Sequence, residues 1–139
     1  MADKEVVYNR IVQFGDTDAA GIVFYPNFFR WMDEATHHLF RTKGYPQSEL
    51  TAKEKVAIPI VEAHCQFKSP GFFENELQIK SRIVEVKEKV FKVSHSFWHG
   101  ERFLAEGYEV RAWTDFSGDK PKAVPIPEEY RRWMEEMAE

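Results

Sequence analysis

One thiol, Cys65, is all that this chain of 139 residues possesses, so no intramolecular disulfide can staple it and its stability must come from packing. A lone cysteine suits a reducing compartment. No stretch approaches the roughly 18 apolar residues that a bilayer span requires. The opening MADKEVVYNR carries charges where a secretory leader would be apolar, and the expectation is a cytoplasmic protein without a membrane partner. No block of Lys and Arg occurs, and the net charge is -4 with the charged residues well mixed, which leaves no electrostatic footprint for nucleic acid. GxGxxG, the P-loop, the GxSxG elbow and HExxH are all missing. No repeat, low-complexity segment or linker interrupts the chain, so residues 1–139 read as one domain.

Aromatic side chains, by contrast, are plentiful: twelve Phe, five Tyr and four Trp make up 15% of the chain. That is more than a small core ordinarily hides, and some of these rings should face a ligand or a partner subunit. Residues 6–14 alternate β-branched and aromatic side chains and predict a strand. Between Asn27, a candidate N-cap, and Gly44, a good terminator, the spacing of Phe28, Trp31, Met32, Ala35 and Leu39 predicts a helix over 28–43. Phe29 and Phe40 widen its apolar stripe, as in a helix wrapped on several sides. A short helical turn is expected at 48–50. Strand-like runs follow at 57–68, 77–86, 90–98 and 103–114, the last with Leu104, Tyr108, Val110 and Ala112 on its apolar side. A short helix over 128–137, opened by Pro127, closes the chain. The fold class is α+β, an antiparallel meander-like sheet of about five strands curled around one long helix.

Chemistry concentrates in QFGDTDAAGIVFYPN, residues 13–27, where two carboxylates and two glycines separate the first strand from the start of the apolar helix. Amides at a helix start lack intrahelical partners and point outward, and the dipole adds partial positive charge. A carbonyl oxygen docked there is polarised as in an oxyanion hole, and a nearby carboxylate can attack that carbonyl or deprotonate water. An Asp-rich turn after a strand also arises simply because Asp accepts local backbone hydrogen bonds. Metal ligation by His37 and His38 is disfavoured, because adjacent helical residues point apart. A thiol site at His64-Cys65 is disfavoured because neighbours along a strand face opposite sides.

The run FGDTDAAGIVFYPNFFRWMD, residues 14–33, resembles the 4-hydroxybenzoyl-CoA thioesterase family of hotdog-fold enzymes, and a looser likeness continues through Pro59-Ile60-Val61 to the C-terminal helix. The resemblance implies a hotdog fold and hydrolysis of an aromatic or short-chain acyl-CoA. It implies Asp18 as the catalytic nucleophile or general base, Asp16 as the residue that shapes the loop, and close backbone approach at Gly21. The Tyr25 backbone amide is then the donor to the thioester oxygen. Phe24, Phe28, Trp31 and Phe72 become candidates for the acyl pocket or a subunit contact, and Asp33 for the acyl group. Lys87 and Lys89 stand where the family meets the nucleotide phosphates, although Glu88 between them weakens the match. No metal or redox cofactor is implied, coenzyme A being part of the substrate, and the assembly is expected to be a homodimer or homotetramer. A non-catalytic acyl-CoA-binding domain and a hotdog hydratase or dehydratase are the competing possibilities. The latter chemistry wants a His near the helix start, whereas His37 and His38 lie about 15 Å beyond it.

Overall fold

Alternating inward side chains dictate the sheet, as the computed structural model, which describes residues 4–139, makes plain. Strands β1 (Val6–Ile11), β3 (Ile60–Phe67), β4 (Glu76–Val86), β5 (Val90–His99) and β6 (Arg102–Ala112) form one antiparallel sheet in the order β1-β4-β5-β6-β3. The centre β4-β5-β6 is the expected meander, while β1 and β3 take the two edges. Two-residue strands β2 (Val56–Ala57), β7 (Thr114–Asp115) and β8 (Lys122–Ala123) make a small separate sheet. Pro59 explains why the run 57–68 divides into β2 and β3: it brings no N–H to a ladder.

Helix α1 (Pro26–Thr42) lays Phe28, Trp31, Met32, Ala35, Thr36, Leu39 and Phe40 against one face of this sheet. Its cap is Tyr25 and not Asn27, because Pro26 already takes the first helical position, where a missing N–H is harmless. Gly44, at φ +90°, ends the helix as expected, with the Tyr45 amide returning to the Phe40 carbonyl at 2.9 Å. The other side of α1 is polar, with Arg30 and Arg41 exposed and Asp33, Glu34, His37 and His38 half-buried. In a single chain the helix is therefore covered on one side only, not on several. A single turn α2 (Gln47–Glu49) runs into a wider turn, Leu50–Glu54. Helix α3 (Glu128–Ala138) packs on β4, with Pro127 as its cap instead of its first residue.

Two apolar clusters result. One, around Leu39, Phe40, Ile83, Phe91 and Trp113, is closed by Tyr130, Met134 and Met137 of α3. The other joins Val12, Phe28, Trp31 and Met32 to Leu77, Ile79, Phe97 and Leu104. Trp31, fully buried there, packs on Phe28 with ring centroids 5.5 Å apart. Trp31→Ala is expected to lower unfolding free energy by about 3–5 kcal/mol, read as a shifted denaturant midpoint.

The strand β4 presents Leu77, Ile79, Ser81 and Ile83 inward, and β5 presents Phe91, Val93, His95 and Phe97, as their alternation predicts. Strand β6 departs from its expected pattern. Trp98 pairs with Phe103 but Phe97 pairs with Ala105, so Leu104 is an extra residue, a β-bulge. Past the bulge the parity flips. Glu109 and Arg111 face the core, and Tyr108 and Val110, expected inward with Leu104 and Ala112, are only half-buried. Gly107 lies in this stretch because a Cβ there would come within 2.3 Å of the His64 carbonyl oxygen and 2.9 Å of Met32 Sδ.

Candidate active site

The segment linking β1 to α1 is held by Asp16. Its buried carboxylate accepts the Gln13 amide at 2.8 Å and lies 3.6 Å from Arg30. Its carbonyl accepts both the Phe24 amide at 2.8 Å and the Asn27 side-chain amide at 2.9 Å. Four parts of the segment therefore converge on one residue. Asp16→Ala strands the Gln13 amide and is expected to cost about 1–3 kcal/mol, measured by thermal or denaturant unfolding.

Asp18 is exposed. Its Oδ1 accepts the Ala20 amide at 2.9 Å, and its carbonyl accepts the Gly21 amide at 2.9 Å, closing a tight turn. Gly21 has φ +81°, a conformation open to glycine, and its absent side chain leaves the surface above the turn clear. The Asp18 amide donates to the Ile22 carbonyl at 2.9 Å, so the carboxylate-bearing turn is tied to a residue that lines a cleft. Among the described residues, Asp18 Oδ2 has no hydrogen-bond partner.

That cleft, about 640 Å³, is walled by Ile22, Val23, Tyr25, Phe28, Phe67 and Gly71, with Lys68, Ser69 and Pro70 completing it. The Phe67 ring lies 5.3 Å from Phe28 and 6.1 Å from Tyr25. At the helix start the donors are nearly all used. Pro26 has no N–H, the Asn27 amide bonds the Phe24 carbonyl, and the Phe28 amide bonds the Tyr25 carbonyl. The Tyr25 amide makes no backbone hydrogen bond among the described residues and stands at the positive pole of α1. Tyr25, with its free amide, lines the apolar cleft at the helix end, while Asp18 does not line it and is joined to it through the bond of its amide to Ile22.

The remaining candidate residues lie elsewhere. Phe24 is exposed, with its ring 5.6 Å from that of Tyr25, and Phe72 is exposed beneath Arg102. Trp31, expected at the acyl pocket or a subunit contact, belongs to the core and does not line the cleft. Asp33, Lys87 and Lys89 gather at the opposite end of β3. Arg111, which holds Asp33 at 2.8 Å, is paired with Ile60, and the turn bearing both lysines leads into Val90, paired with Ala112. Phe67, at the cleft, pairs with Ala105. Eight residues of strand, about 23 Å, separate the two groups within one chain. Lys87 is exposed and 3.3 Å from Glu85; Lys89 is exposed.

One constellation escaped the sequence reading. Beneath α1, Ser81, His95, Thr36, Glu109 and Arg111 are all buried and linked to one another, and Asp33 and His37 extend the chain to the surface. The inward positions of Ser81 and His95 are visible in the alternation, whereas the Leu104 bulge hides Glu109 and Arg111. Cys65 and its neighbour make a poor thiol site. Burial pushes the Cys65 thiol up to about 11, which suppresses thiolate chemistry, and His64 stacks on Tyr108. No group of three or more His, Cys, Asp or Glu among the described residues could hold a metal ion.

Comparison with known proteins bears on the fold and the family. The profile of the thioesterase-like superfamily matches residues 12–134. The chain is 29% identical over 134 residues to a 4-hydroxybenzoyl-CoA thioesterase of Pseudomonas sp. strain CBS-3, spanning 91% of this chain and 95% of that protein. It is 28% identical to a 1,4-dihydroxy-2-naphthoyl-CoA hydrolase of Prochlorococcus marinus, spanning 94% and 89% of the two chains. A solved gentisyl-coenzyme A thioesterase is 48% identical with a TM-score of 0.83, over 91% of this chain and 99% of the other. An aspartate-to-asparagine mutant of 4-hydroxybenzoyl-CoA thioesterase, complexed with 4-hydroxybenzoyl-CoA, superposes with a TM-score of 0.88 at 25% identity, covering 99% of this chain and 100% of that one. A fold shared along the whole chain and a profile spanning most of it leave one assignment: the chain belongs to the thioesterase-like superfamily and is a hotdog-fold thioesterase.

Proposed function

We propose that the protein hydrolyses the CoA thioester of a hydroxylated aromatic acid, with Asp18 as its catalytic carboxylate and the Tyr25 amide as donor to the thioester oxygen. The observation that carries this reading is the unpartnered Tyr25 amide at the cleft of Ile22, Phe28 and Phe67, with the turn that bears the free Asp18 oxygen bonded to Ile22 of that cleft. The thioester carbonyl lies against the helix tip, where negative charge growing on its oxygen is stabilised. Asp18 either adds to the carbonyl carbon or takes a proton from the water that does. In both routes the C–S bond breaks, the sulfur leaves as the thiol of CoA, and water supplies the acid's second oxygen. The reaction so written draws on no metal or redox cofactor. The aromatic acyl group is supported by the apolar rings of the cleft and by the aromatic acyl-CoAs in the names of the four relatives.

The working unit in this reading is a dimer, or a tetramer built from dimers, joined along β3. That strand is an edge with nearly every residue exposed, Ile60, Val61 and Phe67 among them, an open edge that soluble proteins ordinarily cover. Antiparallel pairing of β3 with its copy lays the Ile60 end of one chain beside the Phe67 end of the other. Asp33, Lys87 and Lys89 of one chain then complete the cleft of its partner, the carboxylate toward the acyl group and the lysines toward the phosphates. The reducing habitat suited to a lone cysteine supports a cytoplasmic location, and no helix among the described residues is long and apolar enough to cross a membrane.

A panel from benzoyl-CoA and its hydroxylated forms to long-chain acyl-CoAs, followed by free-thiol release, tests the activity. Rapid release from the hydroxylated aromatic members is the expected result. Tight binding without thiol release would point to a non-catalytic acyl-CoA-binding domain instead. With a 2-enoyl-CoA added to the panel, loss of its enoyl absorbance without thiol release would point to a hydratase, although no histidine among the described residues lines the cleft.

A further inference from the structure

A chain of polar and ionisable groups runs through the core under α1, and of its members the reading above uses only Asp33. Ser81 Oγ lies 2.6 Å from His95 Nδ1, and His95 Nε2 is 3.2 Å from Thr36 Oγ1 and 3.5 Å from Glu109 Oε1. Thr36 donates to the same Glu109 oxygen at 2.6 Å. Serine, histidine and glutamate in series suggest a nucleophile, but all three are sealed beneath the helix, where no substrate carbonyl reaches Ser81. The series leads outward instead. Arg111 grips Glu109 through Nε at 3.0 Å and Nη2 at 3.1 Å, bonds the Ile58 carbonyl at 2.8 Å, and gives its remaining reach to Asp33 Oδ1 at 2.8 Å.

Three of the four bonds of the guanidinium end on buried partners, and the fourth ends on Asp33, whose side chain is 46% exposed. Burying an ion pair is costly, and an apolar pair of like size would stabilise the core as well or better. A fork locked by a buried carboxylate does what an apolar pair cannot: it sets the angle of a surface carboxylate. His37 Nε2, 3.4 Å from the same Asp33 oxygen, adds a second hold, and Oδ2 has no hydrogen-bond partner among the described residues. The hydrogen bond from His37, joined by that of Arg111 and opposed by burial, keeps the Asp33 carboxyl well below the usual carboxylate range. Burial pushes Glu109 up, but the His95 hydrogen bond and the Arg111 charge outweigh it and hold that carboxyl low as well.

We infer that Arg111, locked by Glu109 and braced by Thr36 and His95, is a positioning residue that fixes Asp33 as the acceptor for a hydroxyl on the acyl group in the partner's cleft. This rests on the two-chain thioesterase reading and adds to it a buried determinant of acyl specificity. Neither Arg111 nor Glu109 touches substrate; both act through Asp33.

The test compares kcat/KM for 4-hydroxybenzoyl-CoA and benzoyl-CoA in the intact protein. Arg111→Lys keeps a cation but loses the fork, and Glu109→Gln keeps the shape but loses the lock. Each is expected to lower kcat/KM for the hydroxylated substrate about tenfold or more, while benzoyl-CoA changes within about twofold. Asp33→Asn should show the same selective loss, and combining it with Arg111→Lys should add nothing further. Equal losses on both substrates, or an unchanged ratio, would overturn the inference. A measurement on the unaltered protein guards against variants that do not fold. The Asp33 carboxyl, followed by NMR at its carboxyl carbon, should stay ionised below the pH at which an ordinary aspartate takes up its proton, and should respond to 4-hydroxybenzoate but not to benzoate. An ordinary titration, or indifference to the hydroxyl, also overturns it. If the wild type releases no thiol from either substrate, the thioesterase reading fails, while the NMR response still decides whether Arg111 poises Asp33.

Discussion

Asp18→Asn should leave the protein folded and binding its substrate, yet slow thiol release by about a hundredfold or more. The reason lies in how little Asp18 does for the fold. It is exposed, and the bond from the Ala20 amide to its Oδ1 can be accepted equally by the oxygen of asparagine. What asparagine lacks is a lone pair basic enough to deprotonate water and a charge able to form an acyl intermediate. Kd for a non-hydrolysable CoA thioether and the unfolding midpoint should both stay near wild type, while kcat collapses. Asp16→Asn supplies the contrast, because Asp16 is buried and its carboxylate faces Arg30. Its effect should appear first as lost stability, with turnover falling as the loop slackens. If Asp18→Asn releases thiol at the wild-type rate, the carboxylate is no part of the chemistry.

Two crippled proteins, mixed, should regain activity that neither has alone. One carries Asp18→Asn; the other carries Lys87→Ala with Lys89→Ala and is assayed well below its substrate saturation. If each cleft takes Asp18 from one chain and its lysines from the other, a mixed dimer contains one site with both parts intact and one with neither. Random exchange makes half of all dimers mixed, so equal mixing should recover up to about a quarter of the wild-type rate. The basis is the length of β3, which sets Phe67 and the cleft at one end and Ile60, with Asp33 and the lysine turn, at the other. Should the lysines serve the cleft of their own chain, mixing restores nothing beyond the sum of the parts. Light scattering at twice or four times the 16.4 kDa of the chain is the accompanying check on assembly.

Alternation makes the centre of the sheet legible, because β4 and β5 obey a period of two over their inward faces. The loop 13–27 is legible for a different reason, since its turn formers and glycines lie against an apolar helix start, and the amide left free there is that of Tyr25. Periodicity says nothing about cap geometry, and Asn27, which has the chemistry of a cap, instead spends its side chain on the Asp16 carbonyl. A widened apolar stripe at Phe29 and Phe40 suggests a helix enclosed on several sides, yet Phe40 is buried by α3 and its cluster while Phe29 remains half-buried. The largest omission is Glu109 with Arg111. A strand of eleven residues reads with one phase in the sequence, and a single inserted residue near its start reverses the phase for everything after it.

That insertion does not set the frame of the interior. Excising Leu104 from an otherwise unchanged chain would close the bulge into one continuous ladder, with Ala105, Gly107, Glu109 and Arg111 still opposite Phe97, His95, Val93 and Phe91 and still facing the core. The molecule would lose a kink and keep its salted centre, and Asp33 would keep its anchor. A lineage could therefore shed the extra residue in a single genetic step and carry the ionic spine on unbroken.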